Sequence, residues 1–141
     1  MHLGYAWLGN REKLLFWQQF MRLLHAHLKD AEHLDKFYYE LLNRAALRFG
    51  KQNPRRIIVE SYAEILKFEG RLHDEPYCFL CDEEILENIA LCRGFLPARE
   101  HCAQRVGFAQ DEILEFLRSK KTLNLNDETV EGLYDITLEG L

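Results

Sequence analysis

Residues 53–70 read NPRRIIVESYAEILKFEG and carry the clearest helix signals in the sequence. Asn53 can cap a helix with its side-chain oxygen, and Pro54 suits the first helical position. Apolar residues then recur at helical spacing, and Gly70 can end the helix. This segment is therefore predicted to be a helix. Its apolar positions are Ile57, Ile58, Tyr62, Ile65, Leu66 and Phe68.

Helical spacing also occurs on both sides of this segment. Residues 10–29, with Asn10 as a cap, and residues 30–49 are predicted to form two further helices. The linkers between these three helices are so short that consecutive helices must be antiparallel neighbours. Two later helices are predicted, one around Ile113 and one capped by Asn126.

Residues 71–107 differ from the helical segments in composition and hold all four cysteines. Two structures stay open within them: a short hairpin over residues 88–97, or a helix over residues 82–91. The predicted fold class is all-α, with a single domain over residues 1–141. We expect a bundle of about five helices with a small cysteine-bearing, zinc-ribbon-like insert.

Composition and charge exclude several classes of protein. The chain has 141 residues, of which 48% are hydrophobic and 29% charged, a mix that favours a packed core over disorder. A net charge of -5 excludes a wholly basic nucleic-acid coat but permits a local basic patch. Because the sequence shows neither a membrane-spanning apolar run nor a signal-peptide pattern, we expect a cytoplasmic protein without a membrane partner.

The spacing of the cysteines predicts a metal site. Cys78 and Cys81 have the two-residue spacing with which a tight turn holds one zinc ion. Twenty residues separate Cys81 from Cys102, as expected before the second pair of a common zinc site. A structural zinc ion is therefore predicted, and it would order an insert whose loops carry little apolar surface. Unmetallated buried thiols are the alternative.

The sequence does not decide which residue is the fourth zinc ligand. The position expected for it is occupied by Arg105, whose side chain cannot bind a metal cation. Cys92, inside the insert, and His101, next to Cys102, are the candidates, with His73 a weaker one. A metalloenzyme is disfavoured because only Glu100 offers a general base nearby. We expect a protein that is not an enzyme and has no small-molecule substrate.

The same region resembles the C-terminal helical domain of the RecO family of recombination mediators. The resemblance is carried by the run EILKFEG ending at Gly70, the cysteine pair that follows after seven intervening residues, and Phe95-Leu-Pro97 before Cys102. His2-Leu-Gly-Tyr and Phe16-Trp-Gln-Gln-Phe20 are similar to a divergent, epsilon-class branch of the family. Asp82 stands where the family has Gly, and the last cysteine pair of the family is broken.

The resemblance implies a DNA-repair protein that binds partners and helps to load recombinase. The partners implied are the acidic tail of single-strand-binding protein, RecR and, for a full-length protein, single-stranded DNA. The family also carries an N-terminal oligonucleotide-binding barrel, and nothing in this sequence resembles it. The alternative function is a generic helical protein-interaction module with a zinc-stabilised insert.

A cluster of basic residues is the candidate surface for the acidic tail or for DNA phosphates. It lies between residues 44 and 56, across the end of one predicted helix and the start of the next. The alternative is a solvated helix end whose cations complement the helix dipole. The basic residues are Arg44, Arg48, Lys51, Arg55 and Arg56.

Overall fold

The structure, a computed structural model, describes residues 7–141, so the sequence similarity at residues 2–5 lies outside the described residues. The helices are α1 (Arg11–Leu28), α2 (Lys36–Phe49), α3 (Pro54–Phe68), α4 (Glu100–Ala103), α5 (Gln110–Ser119) and α6 (Asp127–Thr137). The strands are β1 (Ile89–Cys92) and β2 (Leu96–Arg99). None of the helices in this part of the chain combines the length and hydropathy needed to cross a membrane.

Side-chain caps set the starts of the long helices. The predicted caps Asn10, Asn53 and Asn126 are confirmed, since each accepts a hydrogen bond from a backbone N–H of the first turn. The second helix begins at Lys36 and not at residue 30 as predicted. The reason is Asp35, whose carboxylate accepts a hydrogen bond from the backbone N–H of Phe37 at 2.9 Å and caps the helix there.

The hairpin forms, over residues 89–99, and the alternative helix over residues 82–91 does not. Strands β1 and β2 are antiparallel, with Ile89 opposite Arg99 and Leu91 opposite Pro97. The turn between them places Gly94 at φ 76°, a left-handed conformation that glycine adopts without steric cost. The fold is therefore mostly helical with a small two-stranded sheet, which corrects the purely all-α prediction.

Helix α3 lies at the centre of the molecule. It contacts α1, α2 and α6, and residues 57–63 are all buried. A surface helix buries only one stripe of residues, so burial all round marks α3 as the central helix.

The hairpin belongs to the same core as the helices. Ile85, Ile89, Leu91 and Phe95 are at most 1% exposed, and the Phe95 ring centroid lies 4.6 Å from that of Tyr62 on α3. The expectation that residues 71–107 carry too little apolar surface to order themselves is therefore wrong for the hairpin. Apolar burial fixes the hairpin to the helices.

Candidate metal centre and basic groove

The first two cysteines of the cluster lie on a tight turn. The turn is closed by a bridge between Tyr77 and Glu84, and the backbone N–H of Asp82 donates to the carbonyl of Cys78 at 2.8 Å. Asp82 has φ 62°, in the left-handed region that glycine and, less often, aspartate adopt. A short polar side chain such as that of Asp82 is therefore tolerated at this position of the turn.

Strand β2 brings the third cysteine to this turn. The backbone N–H of Phe79 donates to the carbonyl of Pro97 at 2.9 Å, so the turn is hydrogen-bonded to the strand. The backbone N–H of Arg99 donates to the Cys78 sulfur at 3.4 Å. Helix α4 begins directly after β2 and places Cys102 beside the turn.

The sulfur atoms of Cys78, Cys81 and Cys102 all lie within 4.8 Å of one another. In a tetrahedral zinc site with Zn–S bonds of about 2.3 Å, neighbouring sulfurs are about 3.8 Å apart. Thiolates are also the donors preferred by soft and borderline metal ions. These three cysteines can therefore hold a metal ion, as the sequence spacing predicted.

The protein environment tunes the thiols of the cluster in opposite directions. Burial acts to raise the pKa of the Cys78 thiol, but backbone N–H groups, led by that of Arg99, outweigh it and lower the pKa to about 7. Partial burial, followed by hydrogen bonding to the other two sulfurs, raises the pKa of the Cys102 thiol to about 11.

The remaining predicted ligands lie outside this group of three sulfurs. Cys92 is half-buried on β1, and burial raises the pKa of its thiol. His73 is also outside the group. His101 is exposed, with its Nε2 atom 3.6 Å from the Cys102 sulfur.

Arg105, at the position expected for the fourth ligand, has a structural role. Its guanidinium donates two hydrogen bonds to the Glu139 carboxylate, at 2.9 and 3.0 Å. A third goes to the carbonyl of Leu91 at 3.1 Å. Arg105 therefore ties β1 to the residues that follow α6.

The basic cluster of the sequence is divided between two faces of the molecule. Arg44, Arg48 and Arg56 line a groove of about 890 Å³ between α2, α3 and the loop over residues 120–125, which also contributes Lys121. We call this the α2–α3 groove. Arg55 and Lys51 are not among its lining residues.

Arg55 packs on a different side of α3 from Arg56. Its guanidinium carbon lies 4.8 Å from the centroid of the Phe16 ring, a cation–π distance. Lys51 lies exposed in the turn that follows α2. The structure therefore brings together three of the five predicted basic residues.

Two of the groove arginines are already engaged within the protein. Arg48 forms an ion pair with Glu60 at 2.8 Å. Arg56 donates to the backbone carbonyls of Thr122 and Leu125 and so fixes the loop that forms one wall. Arg44 is freer, since its side chain is 58% exposed and its distance to the Glu64 carboxylate is 3.6 Å.

The sequence analysis missed Glu60, which forms part of the groove floor. Its carboxylate accepts hydrogen bonds from the backbone N–H and the hydroxyl of Thr122, at 2.9 and 2.7 Å, besides the bond from Arg48. Burial acts to raise the pKa of Glu60, but these hydrogen bonds outweigh it and hold the pKa below the ordinary value of 4.5. A carboxylate inside the most apolar run of the chain was the signal that could have identified it.

The Glu60→Gln variant should be less stable than wild type at pH 7 and should lose less stability in acid. The pKa of Glu60 is lower in the folded protein than in the unfolded chain. The ionised Glu60 carboxylate therefore stabilises the fold at pH values above its pKa in the unfolded chain, and this stabilisation is lost as the pH falls through its pKa in the folded protein. Loss of charge-assisted hydrogen bonds should cost about 1.5–3 kcal/mol at pH 7. Urea unfolding at pH 7 and at about pH 3.5 measures both effects.

Glu64→Gln is the matched control for this prediction. It removes a carboxylate from the same helix whose ion pair is longer and more exposed. We expect its stability to change by less than about 1 kcal/mol at either pH. Equal acid sensitivity in Glu60→Gln and wild type would contradict the assignment of Glu60.

Comparison with known proteins finds no family that matches this sequence and no match among curated proteins.

Proposed function

We propose that this chain is a helical domain of a RecO-like DNA-repair mediator that works by binding and not by catalysis. In this proposal the α2–α3 groove captures the acidic tail of single-strand-binding protein in the cytoplasm and thereby supports loading of recombinase on single-stranded DNA. One observation carries the proposal. The groove has four basic and two acidic side chains, a net of two positive charges, on a chain of net charge -5.

The charge distribution within the groove favours an anionic peptide. Arg48 and Arg56 hold the groove in shape, whereas Arg44 and Lys121 have charge to offer a ligand. Within residues 7–141, Lys121 forms no ion pair in this structure. Carboxylates of an acidic tail fit these two cations, because charge-assisted hydrogen bonds are the stronger ones.

An exposed leucine on the wall of the groove favours a peptide that also carries a large apolar residue. Leu123 is 87% exposed, whereas Leu41 and Ala45, which line the groove from α2, are each 2% exposed. A peptide side chain that covers Leu123 would remove its apolar surface from water. The acidic, Phe-terminated tail expected from the resemblance has both features.

Zinc is the metal that we propose for the cysteine cluster, in a structural role. Three thiolates from a tight turn and a short helix are a donor set typical of structural zinc. Arg99 supports an anionic cluster, since contact with the Cys81 sulfur is the main factor that raises the pKa of its guanidinium. RecR and single-stranded DNA stay expected partners of a full-length protein on the resemblance alone.

Arg44→Glu should weaken binding of a labelled acidic, Phe-terminated peptide about tenfold or more. A lost charge-assisted contact of about 1.5–3 kcal/mol corresponds to at least a tenfold change in Kd. Lys121→Glu should act in the same direction. Binding to wild type should also weaken with added salt, since exposed charges are screened over about 10 Å at 0.1 M. Fluorescence titration measures all three effects.

Arg55→Glu is the control, because it makes the same change of charge in the same stretch of sequence but outside the groove. It should bind like wild type. No binding to wild type would overturn the proposed function. Equal binding of acidic peptides with and without the terminal Phe would instead favour the generic protein-interaction module.

A further inference from the structure

We propose that His101 is the fourth ligand of the metal centre, so that the ion is held by three thiolates and one imidazole. This inference rests on the zinc part of the proposed function. It assigns the ligand that spacing leaves open between Cys92 and His101. It also departs from a four-cysteine site.

The first step is the distance between His101 and the cluster. The Nε2 atom of His101 lies 3.6 Å from the Cys102 sulfur. In a tetrahedral site with Zn–S bonds of about 2.3 Å and Zn–N bonds of about 2.0–2.1 Å, bound nitrogen and sulfur are about 3.6 Å apart. The imidazole therefore already stands at ligand distance from one of the three sulfurs.

The second step is the freedom of the His101 ring to turn toward the other two sulfurs. His101 is exposed and lies on the short helix α4. Its side chain makes no other hydrogen bond within residues 7–141. Turning the ring toward Cys78 and Cys81 therefore breaks no contact of this kind, and a neutral imidazole is a common metal ligand.

The third step excludes Cys92, the competing candidate, and shows why the position of Arg105 stays filled. Cys92 is paired with Leu96 in the hairpin ladder, so its backbone cannot move toward the cluster without loss of strand pairing. The Cys92 sulfur and the His101 nitrogens both lie outside the group of three, but His101 is exposed, whereas Cys92 is fixed in the strand ladder. Arg105 is held by Glu139 and by the carbonyl of Leu91.

The charge around the site favours a neutral fourth ligand. Zinc with three thiolates and an imidazole has a net charge of -1, whereas four thiolates would give -2. The cysteine turn is followed by an acidic stretch, and the guanidinium of Arg99, the cation beside the cluster, is already paired with Glu83 at 2.7 Å. A second net negative charge on the metal centre would therefore add repulsion from the neighbouring carboxylates. The acidic residues are Asp82, Glu83, Glu84 and Glu87.

X-ray absorption of the zinc-loaded chain tests this assignment directly. Wild type should fit three sulfurs and one nitrogen, with the outer-shell scattering of an imidazole. His101→Cys should fit four sulfurs, and His101→Ala should lose the imidazole scattering. Chelator competition should show zinc affinity about 100-fold weaker in His101→Ala, the upper end for changes around metal ligands.

His73→Ala is the control, since it removes another exposed histidine from the same segment. It should retain the spectrum and the affinity of wild type. The assignment is overturned if His101→Ala keeps both, or if Cys92→Ser changes the spectrum while His101→Ala does not. A wild-type chain that binds no zinc would overturn the zinc proposal as well. Peptide binding in the α2–α3 groove is measured separately, so failure of the zinc proposal is distinguishable from failure of the proposed peptide binding.

Discussion

Cys78→Ser should abolish stoichiometric zinc binding and produce the largest loss of stability of any single change at the site. A ligand that binds only the folded state stabilises it by about 4 kcal/mol when its free concentration is 1,000 times its Kd. Cys78 is 1% exposed and its sulfur is one of the three that lie within 4.8 Å of one another, so a serine there removes the buried donor of the group. Metal analysis and urea unfolding with and without added zinc measure the two effects.

The loss of order on zinc removal should be local. Hydrogen exchange should rise over residues 77–84 and around α4, where the ligands lie. The hairpin should stay protected, since Ile89, Leu91 and Phe95 are buried in the common core.

Cys92→Ser is the control, because this cysteine lies outside the group of three sulfurs and should leave zinc content unchanged. The zinc proposal fails if purified wild-type protein holds well under half an equivalent of zinc and all four cysteines titrate as free thiols. A chelator that releases zinc without any change in exchange would show that the ion does not order the turn.

Local signals in the sequence predicted most helix boundaries. A cap such as Asn53 acts on the first turn of its own helix, so the signal and its effect lie within a few residues. The start of α2 was misplaced because helical spacing was followed back past Asp35, a better cap than the residues before it. The sequence could not decide between the hairpin and the helix, because short apolar runs fit a strand and a buried helix equally well.

The division of the basic cluster could not be predicted, because it depends on tertiary packing. Adjacent residues on a helix point about 100° apart, so Arg55 and Arg56 had to face different neighbours. Which neighbours they meet is decided by distant segments: Arg56 contacts the loop at residues 122–125, and Arg55 contacts Phe16 on α1. Similarly, the Glu60 partner Thr122 lies 62 residues away.

The cluster of three cysteines could be predicted from spacing because a tight turn fixes Cys78 and Cys81 together. The contribution of Cys102 depends on β2, which is hydrogen-bonded to that turn. Nothing local shows that Arg105 reaches Glu139, which is 34 residues away. The position of a fourth ligand therefore could not be obtained from spacing alone.

Phe95→Ala should destabilise the protein by about 3–5 kcal/mol, the usual cost of removing a fully buried phenylalanine ring. The ring is 0% exposed, and its centroid lies 4.6 Å from that of Tyr62 and 5.9 Å from that of Phe116. It therefore joins the hairpin to α3 and α5. Urea unfolding followed by tryptophan fluorescence measures the change.

A second variant separates packing from hydrogen bonding at the same contact. The hydroxyl of Tyr62 donates to the carbonyl of Gly140 at 2.6 Å and accepts from the backbone N–H of Gly94 at 2.7 Å. Tyr62→Phe leaves both backbone groups without this partner, at a cost of about 1–3 kcal/mol. We expect it to be less damaging than Phe95→Ala, because its ring still packs against Phe95.

Phe79→Ala is the control, since this phenylalanine of the cysteine turn is exposed and should change stability by less than about 0.5 kcal/mol. The comparison decides what holds residues 71–107 to the helices. If Phe95→Ala is as stable as wild type while Cys78→Ser loosens the whole segment, then the metal holds it in place. If Phe95→Ala is strongly destabilised with zinc still bound, then apolar burial fixes the hairpin and the metal shapes only the turn that carries its ligands.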